Sequence, residues 1–479
     1  MLVWEEPMKT LIQGGTVITA SETIKADVLI DNERIEAIGT GFSLESDCKI
    51  IDAARKLVMP GGVDVHTHFD LPMFDTVSSD DHYTGHKAAA FGGTTTVMDF
   101  VSFDKATLEV SVSAWHEKAD GKAAVDFGFH MNISRFDERV ASELPHLRDL
   151  GINSVKVFTA YTNRLRLNDG YIFKTLRIAK EHGLLVMVHA ENGDVIDMLV
   201  EEALLAGHTS PEWHANTRPV NSAVEAVYRT IKLAEMADAP VYIVHMNTMG
   251  GVDHVRDARR QGLKVMGETC PQYLFFTIDY LHREDGSKWI CSPPVRTPED
   301  NEGIWRAVAD GSMQVMATDH CPFFYDGTKP IEYENENIAI PGKELGKNDF
   351  TKIPNGLPGV GDRMMVMWTK GVVEGRITAN QFVEMNCTNP AKIFGLYPRK
   401  GTIMPGADAD IAIWDPDREF TYGVDHSHQR TDHNLYEGWK LKGIVEKVLL
   451  RGKLIVDGGQ WLGEKGGGRY IHADDPTVL

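Results

Sequence analysis

Six residues able to bind metal fall at the ends of five separate apolar, strand-like runs. They are His66 and His68 in Gly61-Gly-Val-Asp-Val-His-Thr-His68, Lys156 in Ser154-Val-Lys-Val-Phe158, His189 in Leu185-Val-Met-Val-His189, His245 in Val241-Tyr-Ile-Val-His-Met246, and Asp319 in Val315-Met-Ala-Thr-Asp-His320. Alternate side chains of a strand share a face, so His66 and His68 project together and can hold one ion. The pattern His-x-His is weak by itself. His426-Ser-His428 repeats it inside a polar, turn-like stretch and reads as surface. Lys156 is more telling. The same alternation turns Ile152, Ser154, Lys156 and Phe158 one way and Val155 and Val157 the other, which drives an ammonium into an apolar interior where it is costly unpaired. A salt bridge or a depressed pKa would answer that cost. Carbamylation by CO2 would instead turn the amine into an anionic bridge between two ions. On this reading Asp319 ligates the first ion with the His66–His68 pair, and His189 and His245 bind the second. Two divalent ions roughly 3.5–4 Å apart can share a hydroxide, acidify it and polarise a carbonyl. Asp319 is then suited to take the nucleophile's proton and deliver it to a leaving nitrogen.

Such groups need elements that bring them to one point. Between Met59 and about Leu396 apolar strand-like runs alternate with helical stretches, the pattern of a parallel sheet with right-handed crossovers. Eight strands are expected, ending near His66, Phe100, Met131, Phe158, His189, Met246, Cys270 and Asp319, with helices such as His86–Phe91, stopped by Gly92-Gly93, and Val220–Ala237. Functional groups late in five strands around one centre favour closure into an α/β (β/α)8 TIM barrel over an open doubly wound sheet. Short β-like runs at both ends, such as Thr16-Val-Ile, Val28-Leu-Ile, Arg34–Gly39, Ala409–Trp414 and Val445–Gly459, predict a small β-sandwich built from both termini. The expected division is 1–58 and 397–479 for the sandwich, with a C-terminal tail, and 59–396 for the catalytic barrel. The stretch Tyr325–Lys347 reads as a long polar connection, either a lid or a surface insertion, and Gly466-Gly-Gly as a flexible tail.

Composition narrows the class. With 479 residues, 42% hydrophobic and 25% charged, the chain is globular and long enough to bury a polar site. A net charge of −20 argues against nucleic acid, whose phosphates call for clustered Lys and Arg. The five cysteines are scattered, with no Cys-x-x-Cys, which suits a reducing, cytoplasmic setting. No secretory signal or membrane span is expected from the first residues, and no membrane partner.

Taken together, Pro60-Gly-Gly-Val-Asp-Val-His-Thr-His68, Ala90-Phe-Gly-Gly-Thr-Thr95, Ser154–Phe158, Cys291-Ser-Pro-Pro294, Thr318-Asp-His-Cys-Pro-Phe323, Phe350-Thr-Lys-Ile-Pro-Asn-Gly356 and Asn389–Ile403 resemble the dihydropyrimidinase and D-hydantoinase family of the cyclic amidohydrolases. The resemblance runs from about Leu11 to Gly458. It implies a TIM barrel with a β-sandwich, two zinc-like ions, a carbamylated Lys156, and Tyr161 as a donor to the oxyanion. It also implies Ser292 and Asn355 gripping a cyclic amide. The implied reaction opens hydantoins or 5,6-dihydrouracil to N-carbamoyl amino acids, in a homotetramer.

Two departures bear on substrate. The connection between Asp319 and Asn355 is long, and Thr162-Asn-Arg-Leu-Arg-Leu-Asn168 places two arginines beside the expected pocket. Arg164 or Arg166 would favour an acidic substituent, unless both simply face solvent. Allantoinase and dihydroorotase use a similar scaffold. Dihydroorotase-like sites carry Arg two residues after the paired histidines, where this chain has Asp70. A non-catalytic assembly relative, like the collapsin response mediators, would have lost metal ligands, and here all six positions are filled.

Overall fold

The computed structural model describes residues 9–43 and 48–479. Most of the N-terminal stretch read for a signal sequence therefore lies outside the described residues.

Eight strands form one parallel sheet in chain order: β1 (Gly62–Thr67), β2 (Thr94–Val101), β3 (Asp126–Asn132), β4 (Ser154–Phe158), β5 (Leu185–His189), β6 (Val241–Ile243), β7 (Val265–Thr269) and β8 (Val315–Met316). The sheet closes on itself beyond β8. Thr67 bridges His320 in parallel, and the Asp64 carboxylate accepts from the Thr318 N–H at 3.2 Å and its hydroxyl at 2.7 Å. This is a (β/α)8 barrel. Its two apolar layers follow strand alternation. Leu185, Met187, Tyr242, Val244 and Met266 fill the interior, while Val155, Val157, Val186 and Val188 pack outward against the helices. Ile152 departs from the expected parity. It lies before β4 begins and joins the outer layer.

β6 and β8 end three residues earlier than the sequence suggests, because His245 and Asp319 have φ of 39° and 54°. A left-handed residue cannot continue a ladder. The helices behave as expected, from Thr84 to Phe91 and from Val220 to Ala237. Left-handed Gly93 follows the first, and left-handed Asp238 caps the second.

Two further sheets use both ends of the chain. Arg34–Gly39, Asp27–Asp31, Lys9–Gln13 and Lys49–Asp52 form one. The other runs from Gln460–Trp461 through Lys453–Asp457, Lys440–Leu450, Ile411–Thr421 and Leu57–Pro60 to Thr16–Ile18 and Thr23–Lys25. Val28, Ile30 and Ile35 of the first sheet share one apolar core with Val17, Val58, Ile411 and Leu449 of the second, so the pair is a sandwich. Leu57–Pro60 belongs to this sandwich and leads through Gly61 directly into β1. A Cβ on Gly61 would meet the Thr95 side chain at 2.1 Å, which accounts for the glycine.

Three expectations change. The tail after Gly466 is docked: Tyr470 bridges Phe127 of β3, the Ile471 N–H donates to the Phe127 carbonyl, and Ile471 and Ala473 join the barrel's interior core. The long connection after β8 contains a small hairpin, Ile331–Tyr333 with Glu336–Ile338, then a short turn at Lys343–Gly346. His428 is half-buried and stacks on Phe91 with ring centroids 3.6 Å apart, so only His426 of that pair is surface. Among the described residues no helix is long and apolar enough to cross a membrane.

Candidate metal centre and substrate cavity

The strand ends deliver their side chains to one place. On β1 the ladder to β2 slips by one residue: Val97 pairs with Asp64, but Asp99 pairs with Thr67. The extra residue shifts the phase of the strand. Val63 and Val65 therefore join the interior core, and His66 and His68 still reach the site above it. Ligand atoms of His66, His68 and Asp319 lie within 4.8 Å of one another. Asp319 Oδ1 stands 3.1 Å from His66 Nε2 and 3.1 Å from His68 Nε2. Beside them Lys156 Nζ lies 2.9 Å from His66 Nε2 and 4.1 Å above the Phe100 ring. On the neighbouring strands His189 Nδ1 and His245 Nε2 face each other at 3.0 Å. Nitrogens bound to one ion at roughly 2.0–2.1 Å would stand about as close.

The donor chemistry fits a pair of divalent ions. His66 Nδ1 is engaged by Glu268 Oε1, which leaves Nε2 to face the cluster, and His189 Nε2 is engaged by Glu191 Oε2 at 2.9 Å, which leaves Nδ1. Carboxylates on the far ring nitrogen orient metal-binding histidines in this way. Glu268 also accepts from the Tyr242 hydroxyl at 2.9 Å and the His245 N–H at 3.2 Å, so one buried carboxylate touches residues of both groups. The Nδ1 atoms of His68 and His245 are buried without a hydrogen-bond partner.

Burial sets the titration of these groups. It pulls His68 down to about 4 and His245 well below the ordinary imidazole range, leaving neutral rings suited to coordination. It also pulls Lys156 down to about 8, although the Asp319 and Glu268 carboxylates oppose the shift. Asp319 goes the other way. Burial would raise its carboxyl, but the nearby His66 and His68 hold it well below the usual range.

A cavity of about 220 Å³ opens onto the cluster, lined by His68, Lys156, His189, His245 and Asp319 together with Tyr161, Ser292 and Asn355. Tyr161 has φ 67° and its ring centroid lies 5.1 Å from that of His189. Burial raises its phenol above the ordinary range, although Ser292 opposes the shift, so it remains a donor at neutral pH. Asn355 Nδ2 donates to Ser292 Oγ at 3.1 Å. Three site residues, Tyr161, His245 and Asp319, thus sit in left-handed backbone, a conformation uncommon for side-chain-bearing residues.

All nine residues singled out in the sequence meet at this cavity or directly behind it. Glu268 and Glu191 were missed. Glu268 sits on β7 at the inward parity of Met266, late in its strand, which is the signal that marked the other ligand positions. Glu191 lies two residues past His189 and had no comparable signal. Arg166, considered for substrate binding, is instead paired with Asp194, Nη2 to Oδ2 at 2.6 Å.

Comparison with known proteins agrees with this arrangement. Residues 57–455 match the model of the amidohydrolase family. A D-hydantoinase from Geobacillus stearothermophilus is 44% identical over 468 residues, covering 97% of this chain and 96% of that protein. The crystal structure of a dihydropyrimidinase from Brevibacillus agri superposes with a TM-score of 0.94 at 45% identity, covering 98% of this chain and 100% of that one. The L-hydantoinase (dihydropyrimidinase) of Arthrobacter aurescens is more distant, with a TM-score of 0.85 and 26% identity over 96% of this chain and 99% of that one. This chain belongs to the amidohydrolase family, in its D-hydantoinase and dihydropyrimidinase group.

Proposed function

We propose that this protein hydrolyses cyclic amides, opening hydantoins and 5,6-dihydrouracil to N-carbamoyl amino acids. It would work with two divalent ions, zinc expected, and a Lys156 carbamylated by CO2. The observation that carries the reading is the meeting of two ligand groups, His66–His68–Asp319 and His189–His245, on one cavity with Lys156 beside His66 and polar donors on its wall. His66, His68 and Asp319 would hold one ion, His189 and His245 the other, and the Lys156 carbamate would join the two. Bound there, such ions supply acidification of water and polarisation of a carbonyl.

The chain's own residues account for the rest. Ser292 and Asn355 orient the ring so that its scissile amide faces Asp319. The Tyr161 hydroxyl donates to the carbonyl oxygen as negative charge develops on it. Water adds to the carbonyl carbon, and the carbon–nitrogen bond of the ring breaks. Asp319, held ionised, accepts the water's proton and returns it to the departing ring nitrogen. The two arms of the product, a carboxylate and a carbamoyl group, remain on one molecule.

A homotetramer and a cytoplasmic location belong to the same reading. Light scattering tests the first. Free thiols at all five cysteines are consistent with the second. The deciding experiment compares initial rates on dihydrouracil, hydantoin, phenylhydantoin, allantoin and dihydroorotate, using zinc-reconstituted protein with bicarbonate. Dihydrouracil or a hydantoin turned over faster than allantoin and dihydroorotate is the expected result. Preference for either of the latter moves the substrate. A protein that binds no metal and opens no ring would be an assembly relative.

A further inference from the structure

We propose that Arg164 makes this site selective for rings bearing an acidic arm, a specificity that rests on the ring-opening activity above. Arg164 follows Tyr161 by three residues and lines the same cavity. Its position is built rather than loose. The N–H groups of Arg164 and Leu165 both donate to the Tyr161 carbonyl at 3.0 Å, and Leu167 N–H returns to the Phe158 carbonyl at 3.0 Å. These bonds fix the Arg164 backbone relative to Tyr161.

The surroundings leave its charge unspent. Arg166 on the same loop is neutralised by Asp194. Among the described residues no carboxylate, that of Asp75 beside Phe74 included, comes within ion-pair distance of Arg164, whose guanidinium lies 5.5 Å from the centre of the Phe74 ring. Arg164 is exposed at the cavity mouth, so its guanidinium is open to an incoming group. Apart from Lys156, it is the only cation lining this cavity among the described residues. The wall around it is apolar, formed by Leu71, Met73, Phe74 and Leu165. Such a rim suits an arm with an aliphatic stem, and the guanidinium offers forked donors to a carboxylate at its end. An arm ending in an amide could occupy the same space without that charge.

The test uses metal-loaded wild type, Arg164→Gln and Arg164→Glu with 5-(2-carboxyethyl)hydantoin and its carboxamide isostere. Each kcat/KM is normalised to unsubstituted hydantoin in the same protein. Wild type should favour the acid over the amide by roughly five- to tenfold, the range of a charge-assisted contact at a partly exposed site. The ratio should fall as salt rises. It should reach about one in Arg164→Gln and invert in Arg164→Glu. Equal use of acid and amide by wild type, or a preference that survives Arg164→Gln, overturns the proposal. If no ring is opened at all, the activity assignment falls separately, and calorimetric binding of the two compounds then decides. Tighter binding of the acid that disappears in Arg164→Gln upholds the role of Arg164, and equal binding removes it.

Discussion

Two buried lysines at opposite ends of the same barrel meet the same problem with opposite solutions. Lys400 lies at the N-terminal end of the strands, against Asp126, the first residue of β3. Its ammonium stands 2.5 Å from Asp126 Oδ2, 2.6 Å from Asp410 Oδ2 and 2.9 Å from Asp408 Oδ2. Burial would lower its pKa, but the three carboxylates outweigh burial and raise it above the ordinary range. Lys156 lies at the other end, with a histidine nitrogen and an aromatic face for neighbours, and burial wins there. In barrels of this kind the C-terminal face does chemistry and the N-terminal face holds the fold together. The difference teaches how to tell the two uses of a buried charge apart. A neutralised ammonium is finished as chemistry, whereas one left uncompensated, near neutral titration, can react with CO2.

The sharpest way to break this comparison is to remove each ammonium in turn. Lys400→Met leaves three carboxylates and Arg451 in a buried, unbalanced cluster and should cost about 3–5 kcal/mol of stability in a denaturant titration. Lys156→Met should abolish ring opening, yet leave the metal-stripped protein at least as stable as wild type, since it removes a buried charge with no carboxylate partner. Equal destabilisation by the two substitutions would erase the distinction.

A pH series on metal-stripped protein sharpens it. The folded pKa of Lys156, about 8, lies below its unfolded value of 10.5. Below pH 8 both states hold the proton, and the full cost of burying the charge is present, about 3 kcal/mol. Between pH 8 and 10.5 the unfolded state binds more protons than the folded one, so stability rises with pH as the cost is relieved. Wild type should therefore gain on Lys156→Met across that window. Lys400, with its raised pKa, keeps its contribution throughout, so the deficit of Lys400→Met should stay constant there. A flat difference between wild type and Lys156→Met would show that the Lys156 ammonium is better compensated than its neighbours suggest.

Much of this contrast was legible in the sequence. Strand alternation turned Lys156 inward, and the ligand positions at strand ends named the C-terminal face. The two regions differ in why the remainder was hidden. The Lys400 cluster draws on residues as far apart as Asp126 and Arg451, and nothing in a local pattern pairs them. The docking of the tail had no signal either: Gly466-Gly-Gly has the composition of a linker, yet a Cβ on Gly468 would meet the Val125 carbonyl at 2.0 Å, so that glycine serves close packing. At the site, the bulge in β1 was invisible because His66 and His68 satisfy alternation between themselves. Only the flanking Val63 and Val65 show that the phase has changed. Glu268 was overlooked because a lone acid late in a strand has several ordinary explanations. Its three contacts, to His66, His245 and Tyr242, exist only in three dimensions.

Those contacts carry the next prediction. Glu268→Gln preserves shape and hydrogen bonding but removes the charge behind His66. Metal affinity should fall about 10–100-fold, read by chelator competition, with little change in the stability of the metal-stripped protein. A loss of stability with unchanged metal affinity would place Glu268 with the Lys400 cluster, as part of the scaffold.

A third buried lysine is compensated by backbone carbonyls alone, is pulled down further than Lys156, and gives the smallest expected effect. Lys343, in the connection after β8, donates to the carbonyls of Ile290, Pro354 and Gly356 at 3.2, 3.0 and 2.9 Å. Burial pulls it down to about 7, because carbonyl dipoles compensate a charge less fully than carboxylates do. Those carbonyls belong to the two segments that carry Ser292 and Asn355, so Lys343 ties together the two sides of the expected ring-binding wall. The backbone bond from Gly356 N–H to the Ile290 carbonyl, 3.1 Å, ties the same segments independently. Lys343→Met removes the first tie and leaves the second. It should raise KM about fivefold, equivalent to roughly 1 kcal/mol, while kcat moves less, since Asp319 and the ligand groups are untouched. An unchanged KM would mean that the Gly356–Ile290 bond alone fixes the wall, and Lys343 would then belong with Lys400 as a lysine whose charge serves only the fold.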